Sequence, residues 1–369
     1  MRAVVLAAEP SGDLLASAVV RQWKLLDPAL SVAGLGGPLL AAEGMEIWED
    51  PTRGAETGLS SLGSLMTWVR RIRSVRERIE SYRPDILVGV DSPDFTLRVF
   101  PGFKGRMKVV QLVAPSAWAW RPGRRELVGR LADLLLVVWP FEKSFFEGCG
   151  CRVEFPGQPL LDTLPTRLST EAPPEIPAGR RAFALLPGSR PREVALNLPL
   201  FVQAARRLLA HHADLQFVIP RVPHLPESLF TPARQLGDRL TLVEGRSLAC
   251  MKSAVAGFAV NGTVSVEAML LGLPHLMAYA ITPLQYCLYR PFVKIQRFNL
   301  VNRILGEDLV PELILGSLTV DNLEKKGLDL LGGGLGARQR EAFARARTLL
   351  GETGAAGRAA ARIMETARG

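Results

Sequence analysis

Short apolar segments alternate with helical patterns along most of the chain. Their residues are mainly Val, Leu, Ile and Ala without polar alternation, which is typical of parallel strands buried on both faces. The strands predicted in the first half are Ala3–Ala7, Ser31–Leu35, Asp85–Val90, Lys108–Val113 and Leu134–Val138. Those predicted in the second half are Ala182–Leu186, Gln216–Ile219, Leu240–Val243 and Val255–Val260.

The alternation pauses at a Pro-rich stretch, residues 156–179, which we interpret as a linker. The pattern therefore predicts an α/β protein of two doubly wound parallel-sheet domains that face a cleft. The N-terminal domain is expected at residues 1–165 and the C-terminal domain at 166–340. A helical segment rich in Ala and Arg, 341–369, follows, and packing of this segment back on the N-terminal domain is one alternative.

Composition limits the partners without choosing among them. The chain has 369 residues, a net charge of +9 and a pI of about 9.8, which favours an anionic partner such as nucleic acid, an anionic membrane or a phosphorylated substrate. No apolar run reaches a membrane span and no secretory signal is apparent, so we expect a cytoplasmic protein. The four Cys and four His lack metal-ligand spacing, so no metal and no disulfide framework is predicted.

Two strand-to-helix loops in the C-terminal domain suit a nucleotide diphosphate. Pro187-Gly188-Ser189-Arg190 offers a close backbone approach, a hydroxyl and a guanidinium fork. Asn261-Gly262-Thr263-Val264 opens a helix whose amides could face phosphate, with Thr263 as a candidate cap and Glu267 placed to hold ribose hydroxyls. Each loop alone fits an ordinary turn equally well, but the pair favours a binding site.

Carboxylates follow two strands of the N-terminal domain. Glu9, Ser11 and Asp13 come after the first strand, and Asp91-Ser92-Pro93-Asp94-Phe95 comes after the third. Carboxylates at strand ends could include a general base for a sugar hydroxyl, although Asp, Ser and Pro are also turn formers. We predict Asp94 as the base because it lies one turn beyond the strand, with Asp91 and Glu9 as alternatives.

Two further segments suit an acylated, phosphorylated ligand. Trp118, Trp120 and Arg121 follow the fourth strand and could form an apolar, cationic surface, or else stack on bases or belong to the core. The segment Leu59–Ile79 projects as a basic amphipathic helix. We predict that one face of this helix meets an anionic membrane, and the alternative is a helix packed on the sheet. The residues of that face are Leu62, Leu65, Met66, Trp68 and Val69.

The ordered set of loops resembles the lipid-A-disaccharide synthase family. The matching stretches are Glu9-Pro10-Ser11-Gly12-Asp13, Gly34-Leu35-Gly36-Gly37-Pro38, Asp91-Ser92-Pro93-Asp94-Phe95, Pro115-Ser116-Ala117-Trp118-Ala119-Trp120, Pro140-Phe141-Glu142-Lys143, Leu186-Pro187-Gly188-Ser189-Arg190 through Glu193-Val194, and Gly262-Thr263 through Glu267. The sequence departs from the family pattern at Gln158, where His is usual.

The resemblance implies two Rossmann-like halves of the GT-B type. It implies an inverting, metal-independent transfer from UDP-2,3-diacylglucosamine to 2,3-diacylglucosamine 1-phosphate, which forms a β-1,6 disaccharide and UDP, by a peripheral enzyme on the cytoplasmic face of the inner membrane. The UDP-sugar is then a substrate, UDP is a product, and no cofactor is expected. By the same resemblance Asn302 joins the UDP site, and Ser11, Asp13, Gly36 and Gly37 join the acceptor site.

Two rival functions share part of this pattern. A UDP-sugar epimerase or a peptidoglycan-type transferase has the same architecture, and only the acceptor-side loops favour the lipid substrate. A nucleic-acid-binding protein is disfavoured because the arginines are scattered and no RNA- or DNA-binding motif appears. Assembly into a homo-oligomer is left open by the sequence.

Overall fold

Two parallel sheets, each with helices on both faces, make up the fold. The structure is a computed structural model that describes residues 1–51, 62–119, 121–281 and 297–369, with the side chains of 62–65 also outside the description. Contacts divide it into two units, Met1–Asp162 with Gly351–Gly369, and Thr163–Leu350. The prediction of two doubly wound parallel-sheet domains is confirmed.

The first unit contains a seven-stranded parallel sheet in the order β3-β2-β1-β4-β5-β6-β7. Its strands are β1 (Arg2–Ala7), β2 (Ser31–Leu35), β3 (Glu46–Glu49), β4 (Ile86–Val90), β5 (Lys108–Leu112), β6 (Leu134–Leu136) and β7 (Arg152–Glu154). Its helices are α1 (Pro10–Leu26), α2 (Pro38–Ala42), α3 (Leu62–Tyr82), α4 (Pro93–Val99), α5 (Arg124–Leu131) and α6 (Pro140–Phe146). A seventh helix, α7 (Leu160–Ser169), crosses into the second unit.

The second unit contains a six-stranded parallel sheet in the order β10-β9-β8-β11-β12-β13. Its strands are β8 (Arg181–Leu186), β9 (Leu215–Arg221), β10 (Leu240–Glu244), β11 (Ala254–Ala259), β12 (His275–Tyr279) and β13 (Glu312–Ile314). Its helices are α8 (Pro191–His211), α9 (Ser247–Ser253), α10 (Thr263–Leu270), α11 (Leu300–Leu305), α12 (Val320–Leu331) and α13 (Gly334–Leu349), with 3₁₀ segments at Glu227–Arg239 and Leu315–Ser317. The last helix, α14 (Ala355–Arg368), belongs to the first unit.

Alternate residues of each central strand enter separate cores. In β1, Val5 packs with α1 and α14 on one face, whereas Val4 packs with α3 and α4 on the other. In β8, Phe183 and Ala184 are divided between two cores in the same way. Burial on both faces explains the continuous apolar runs of the sequence.

The domain boundaries differ from the predicted ones at two places. Residues 341–350 belong to the second unit because α13 packs on α10, α11 and α12. The chain returns to the first unit only at Gly351, and α14 then packs on α1. The predicted linker also contains a helix, α7, whose Asp162 carboxylate accepts the amide of Gly354 at 2.5 Å and so caps α14.

Four strands were not predicted, β3, β7, β12 and β13. The first two and the last have only three or four residues, and charged residues interrupt them, so they lack a clear apolar run. In β12 the first residue is His275, and no β-branched residue follows, which hides an otherwise buried strand.

A buried polar network surrounds His275. Its Nδ1 donates to the carbonyl oxygen of Leu273 at 2.9 Å, so Nε2 accepts the hydroxyl of Ser265 at 2.5 Å. Asn299 donates to the same hydroxyl at 2.7 Å, and Gln339 exchanges hydrogen bonds with the backbone N and O of His275. The network joins α10 and α13 to β12, and burial lowers the pKa of His275 to about 4.

This burial predicts a pH-dependent stability. Between pH 6.5 and about 4 the unfolded chain binds a proton at His275 that the folded chain excludes. Stability from this group is therefore complete above pH 6.5 and falls on acidification, by about 1 to 2 kcal/mol at pH 5. Urea unfolding of the wild type and of His275→Gln at pH 7 and pH 5 measures it, with the exposed His224→Gln as control. An equal pH dependence in wild type and His275→Gln would contradict the assignment.

Candidate active site

A pocket of 540 Å³ lies in the second unit at the carboxyl ends of four adjacent strands, β10, β9, β8 and β11. The chain order reverses between β8 and β11, which is the switch point where doubly wound sheets bind ligands. Both predicted nucleotide loops line it, from Pro187 to Arg190 and from Asn261 to Val264, and Glu267 lines it as well. Tertiary structure thus brings together two loops separated by about seventy residues of sequence.

Glycine is required at the turn of each loop. Gly188 has φ +116 and Gly262 has φ +131, a region that side chains rarely adopt. A Cβ on Gly188 would also lie 2.6 Å from Glu193 Oε2. These turns hold the backbone at the rim of the pocket, with the following helix directed away from it.

Glu193 fixes the loop that precedes α8. One carboxylate oxygen accepts the amide of Ser189 at 3.2 Å, and the other pairs with Arg190 Nη1 at 3.0 Å. The Arg190 side chain remains 78% exposed, so the guanidinium is held from one side and open on the other. A cation in this arrangement can donate to an anionic ligand without leaving its carboxylate partner.

Glu267 lies in the second turn of α10 and is largely buried. Its Oε1 accepts Arg167 Nη1 at 2.8 Å. Burial raises the pKa of the Glu267 carboxyl, and the neighbouring Arg167 opposes that shift. The sequence did not indicate Arg167, which comes from α7 far away in the chain.

Thr263 is not a helix cap. Gly262 occupies the N-cap position of α10, no side chain caps the helix, and Thr263 is its first residue. The first amides of α10 therefore have no side-chain acceptor and lie at the pocket, with the positive end of the helix dipole. The anion-binding property predicted for this loop rests on backbone rather than on the hydroxyl.

Three charged residues of the pocket were missed by sequence reasoning. They are Arg221 at the end of β9, Arg246 after β10, and Glu171 after α7. The two arginines follow strands that the sequence did predict, so inspection of those strand ends could have found them. Arg246 adopts φ +53, a left-handed backbone that is uncommon for a non-glycine residue.

Asn302 lies outside the pocket lining. It is 1% exposed, and its side chain bonds the backbone of Leu309 and Val310 and the carboxylate of Glu312. These bonds connect α11 to β13. The geometry gives Asn302 a structural role in the second unit.

The switch point of the first sheet, between β1 and β4, carries Ser11 and Asp91. The Ser11 hydroxyl donates to Asp91 Oδ2 at 2.8 Å. Asp91 and Ser92 have consecutive φ values of +52 and +39, a rare conformation for two non-glycine residues. Buried Gln111 supports this turn by donating to the carbonyl oxygen of Asp91 at 3.3 Å.

Asp94 lies in the first turn of α4 among three arginines. Its Oδ1 pairs closely with Arg124, and Arg121 and Arg98 approach the same oxygen at 3.5 and 3.7 Å. Its Oδ2 has no partner among the described residues, and the side chain is 49% exposed. One carboxylate oxygen is thus held while the other is open.

Asp13 holds the loop after β2. It is 3% exposed, and its carboxylate accepts the amides of Gly37, Leu39 and Leu40 at 2.8 to 3.2 Å. Gly36 is buried beside it, whereas Glu9 is exposed. Asp13 therefore caps α2 and fixes the Gly36-Gly37 turn.

Trp118 is braced on α6. Its Nε1 donates to the buried Glu142 at 3.0 Å, and its ring meets Phe141 edge-on at 5.2 Å. Arg121 is exposed beside Asp94, and Trp120 lies outside the described residues. Gln158 is buried and bonds Val138 O and the amide of Leu160, so it supports the start of α7.

The apolar residues of α3 are divided between its two ends. Met66 and Val69 are 61% and 58% exposed, whereas Val75 and Ile79 are buried against the sheet. Trp68 is partly buried, and its ring packs edge-on against Phe95 of the core, so its assignment to a fully exposed membrane face is corrected. The side chains of Leu62 and Leu65 lie outside the described residues.

No helix in the part of the chain that the structure describes is long and apolar enough to cross a bilayer. Over the same residues, no group of three or more His, Cys, Asp or Glu side chains could hold a metal ion.

Two parallel α/β units with a pocket at a switch point define the GT-B class. UDP-GlcNAc 2-epimerase from Neisseria meningitidis bound to UDP-GlcNAc has a TM-score of 0.65 at 16% identity, over 99% of both chains. MurG from Acinetobacter baumannii has a TM-score of 0.60 at 13% identity, also over 99% of both chains. At these identities the likeness establishes the fold alone.

Similar sequences identify the family to which the chain belongs. A lipid-A-disaccharide synthase from Geobacter sulfurreducens is 33% identical over 99% of this chain and 97% of its own length. Another, from Azotobacter vinelandii, is 36% identical over 93% of this chain and 92% of its own length. The lipid-A-disaccharide synthetase family model matches residues 3–363, and the chain belongs to this family. It is a glycosyltransferase that forms the lipid A disaccharide.

Proposed function

We propose that the enzyme joins UDP-2,3-diacylglucosamine to 2,3-diacylglucosamine 1-phosphate by a single inverting displacement. The 6-hydroxyl oxygen of the acceptor attacks the anomeric carbon of the donor, and the bond from that carbon to UDP breaks. UDP leaves with the bonding electrons. Because the donor is α-linked and the product β-1,6-linked, one direct attack gives the required inversion. Family membership is the observation that carries this proposal.

The donor nucleotide is assigned to the pocket of the second unit. The diphosphate suits the uncapped amides of α10 and the exposed guanidinium of Arg190, which Glu193 holds from one side. Gly188, Ser189, Gly262 and Thr263 give the backbone and hydroxyl donors, and the pocket-lining Glu267 suits ribose hydroxyls. Several donors converging on one small volume are what a nucleoside diphosphate requires.

Asp94 is assigned as the general base. The acceptor hydroxyl is a poor nucleophile near neutral pH, so its proton must pass to an acceptor as the new bond forms. The open Oδ2 of Asp94 can take that proton while Arg124 holds Oδ1. Asp91 already accepts the Ser11 hydroxyl and is the second candidate, and exposed Glu9 is the third.

The acyl chains and the membrane are assigned to the first unit. Exposed Met66 and Val69 on α3 lie beside exposed Arg70 and Arg73, a mixture that suits an anionic lipid surface. Arg121 lies 3.5 Å from Asp94, and we assign it with Trp118, three residues before it, to the acceptor. The enzyme would then work as a peripheral protein on the cytoplasmic face of the inner membrane.

The reaction itself is tested by incubation of the purified chain with both acylated substrates in detergent micelles. Mass spectrometry should find the disaccharide 1-phosphate, and NMR should find a β linkage. EDTA should leave the rate unchanged, because no step is assigned to a metal ion or another cofactor. Release of free sugar or epimerised UDP-sugar without a disaccharide would refute the proposal.

Arg190→Ala and Glu267→Ala should each weaken UDP binding. Loss of one charged hydrogen bond costs about 1.5 to 3 kcal/mol, or about 10- to 100-fold in Kd. Isothermal titration with UDP measures the change. Arg206→Ala is the control. Arg206 lies on α8, the helix that follows Arg190, and is not among the residues that line the pocket. Unchanged affinity in both pocket variants would show that UDP binds elsewhere.

Asp94→Asn should lower kcat by about 10²- to 10⁴-fold while UDP binding persists. The amide keeps the shape of the side chain but cannot accept the hydroxyl proton. Asp91→Asn should lower kcat less. A larger loss for Asp91→Asn, or near-normal turnover of Asp94→Asn across the pH range, would assign the base elsewhere.

Met66→Ser with Val69→Ser should reduce co-sedimentation with anionic liposomes. Both side chains are exposed, so the cooperative thermal transition should stay near that of the wild type. Val75→Ser is the contrasting variant. Val75 is only 2% exposed, so this substitution should lower the midpoint of thermal unfolding. Full liposome binding by the double variant would argue against this surface.

A further inference from the structure

One ion pair of the second unit connects the pocket to a helix that does not line it. Glu267 of α10 lines the pocket, whereas Arg167 of α7 is not among the lining residues. Arg167 Nη1 donates to Glu267 Oε1 at 2.8 Å, although the two residues are 100 positions apart in the sequence. Glu267 Oε2 has no hydrogen-bond partner within the described ranges. One carboxylate oxygen is thus held from outside the pocket, and the other remains available to a ligand.

Apolar packing sets the distance between the two helices. Leu164 and Leu168, one turn apart on α7, pack in the same core as Ala268 of α10. Ala268 directly follows Glu267, and Arg167 lies between the two leucines in sequence. The packing of α7 on α10 therefore fixes the position from which the guanidinium approaches the carboxylate.

The two partners differ in burial. The Glu267 side chain is 12% exposed and that of Arg167 is 38% exposed. Burial raises the pKa of the Glu267 carboxyl, the charge and hydrogen bond of Arg167 lower it, and the nearby carboxylate of Glu171 raises it. Removal of the cation would leave a buried carboxylate without compensation. Arg167 therefore stabilises the ionised form of Glu267 as well as its orientation.

An ionised, oriented carboxylate suits the ribose of a nucleotide. The sugar has two neighbouring hydroxyls, and each can donate one hydrogen bond. A carboxylate only accepts, whereas a protonated carboxyl carries an O–H donor and has less acceptor capacity. Hydrogen bonds to the charged form are also the stronger ones. The contribution of Glu267 to ribose binding should therefore depend on the cation that holds it.

We propose that Arg167 is a positioning residue of the donor site, which holds the Glu267 carboxylate so that it accepts the ribose hydroxyls of UDP. This inference rests on the proposed function, which assigns UDP to this pocket. It makes the preference for a ribonucleotide depend on a side chain that does not line the pocket. Arg167 acts through Glu267 and needs no contact of its own with the ligand.

Arg167→Met tests the proposal through discrimination between two nucleotides. The variant keeps an unbranched side chain and removes the guanidinium. Isothermal titration gives the Kd of UDP and of 2′,3′-dideoxy-UDP, which lacks both ribose hydroxyls. The wild type should prefer UDP. Arg167→Met should weaken UDP binding about 10- to 100-fold, as expected for a charged hydrogen bond, and dideoxy-UDP binding much less. Arg167→Lys should recover part of the preference, since it restores a cation without the planar fork.

A double-mutant cycle separates this role from a direct contact. Glu267→Ala should abolish most of the preference for UDP, and Arg167→Met added to Glu267→Ala should then change the UDP affinity no further. Arg207→Met is the matched control, because Arg207 pairs with Asp321 and Glu324 and is not among the residues that line the pocket. This control should keep both affinities. Thermal melts establish that each variant is folded.

The contrary outcomes are distinct. A preference for UDP that is unchanged in Arg167→Met, or absent in the wild type, overturns the proposal. An equal loss of UDP affinity on Arg167→Met with and without Glu267→Ala also overturns it, because Arg167 would then act independently of the carboxylate. If neither Arg190→Ala nor Glu267→Ala changes UDP binding, the donor site of the proposed function fails, and this inference fails with it.

Discussion

Burial of both faces of a parallel sheet is the constraint on which the rest of this structure depends. A strand such as β1 sends alternate side chains into two cores, so neither face can carry a polar reactive group. Chemistry is therefore confined to the edge where the strands end. In each unit the polar loops collect there, at the switch point between β1 and β4 and between β8 and β11.

The two edges present different kinds of polar group. The second unit relies on backbone, because positive φ at Gly188 and Gly262 and the uncapped start of α10 leave amides at the pocket. The first unit relies on side chains, because guanidiniums surround Asp94. Backbone donors are fixed in position by the turns that carry them. A cluster of charged side chains can combine binding with acid–base chemistry, since its carboxylate keeps one oxygen open.

Much of the supporting structure is buried polar contact. Asp13 caps α2, Glu142 accepts the Trp118 indole, and the network around His275 joins α10 to its neighbours. Such groups are costly to bury unless every partner is present. These buried contacts fix the loops, so the exposed residues of the sites can stay in contact with solvent.

The sequence by itself determined the class of fold, the central strands and the loops at their ends. It could do so because a doubly buried strand and a glycine turn are local features, visible in a few consecutive residues. It also placed Gly188, Arg190 and Glu267 together by the rule that ligands bind at strand ends, and the pocket has all three in its lining.

Only the tertiary structure decided which side chains meet across long stretches of chain. Arg167 pairs with Glu267, three arginines converge on Asp94, Trp68 packs against Phe95, and Asn302 bonds a buried network. The short edge strands, and the return of the chain to the first unit at Gly351, could not be predicted from the sequence either. The physical reason is that an ion pair or a packing contact depends on the distance between elements, and the periodicity of one segment carries no information about that distance.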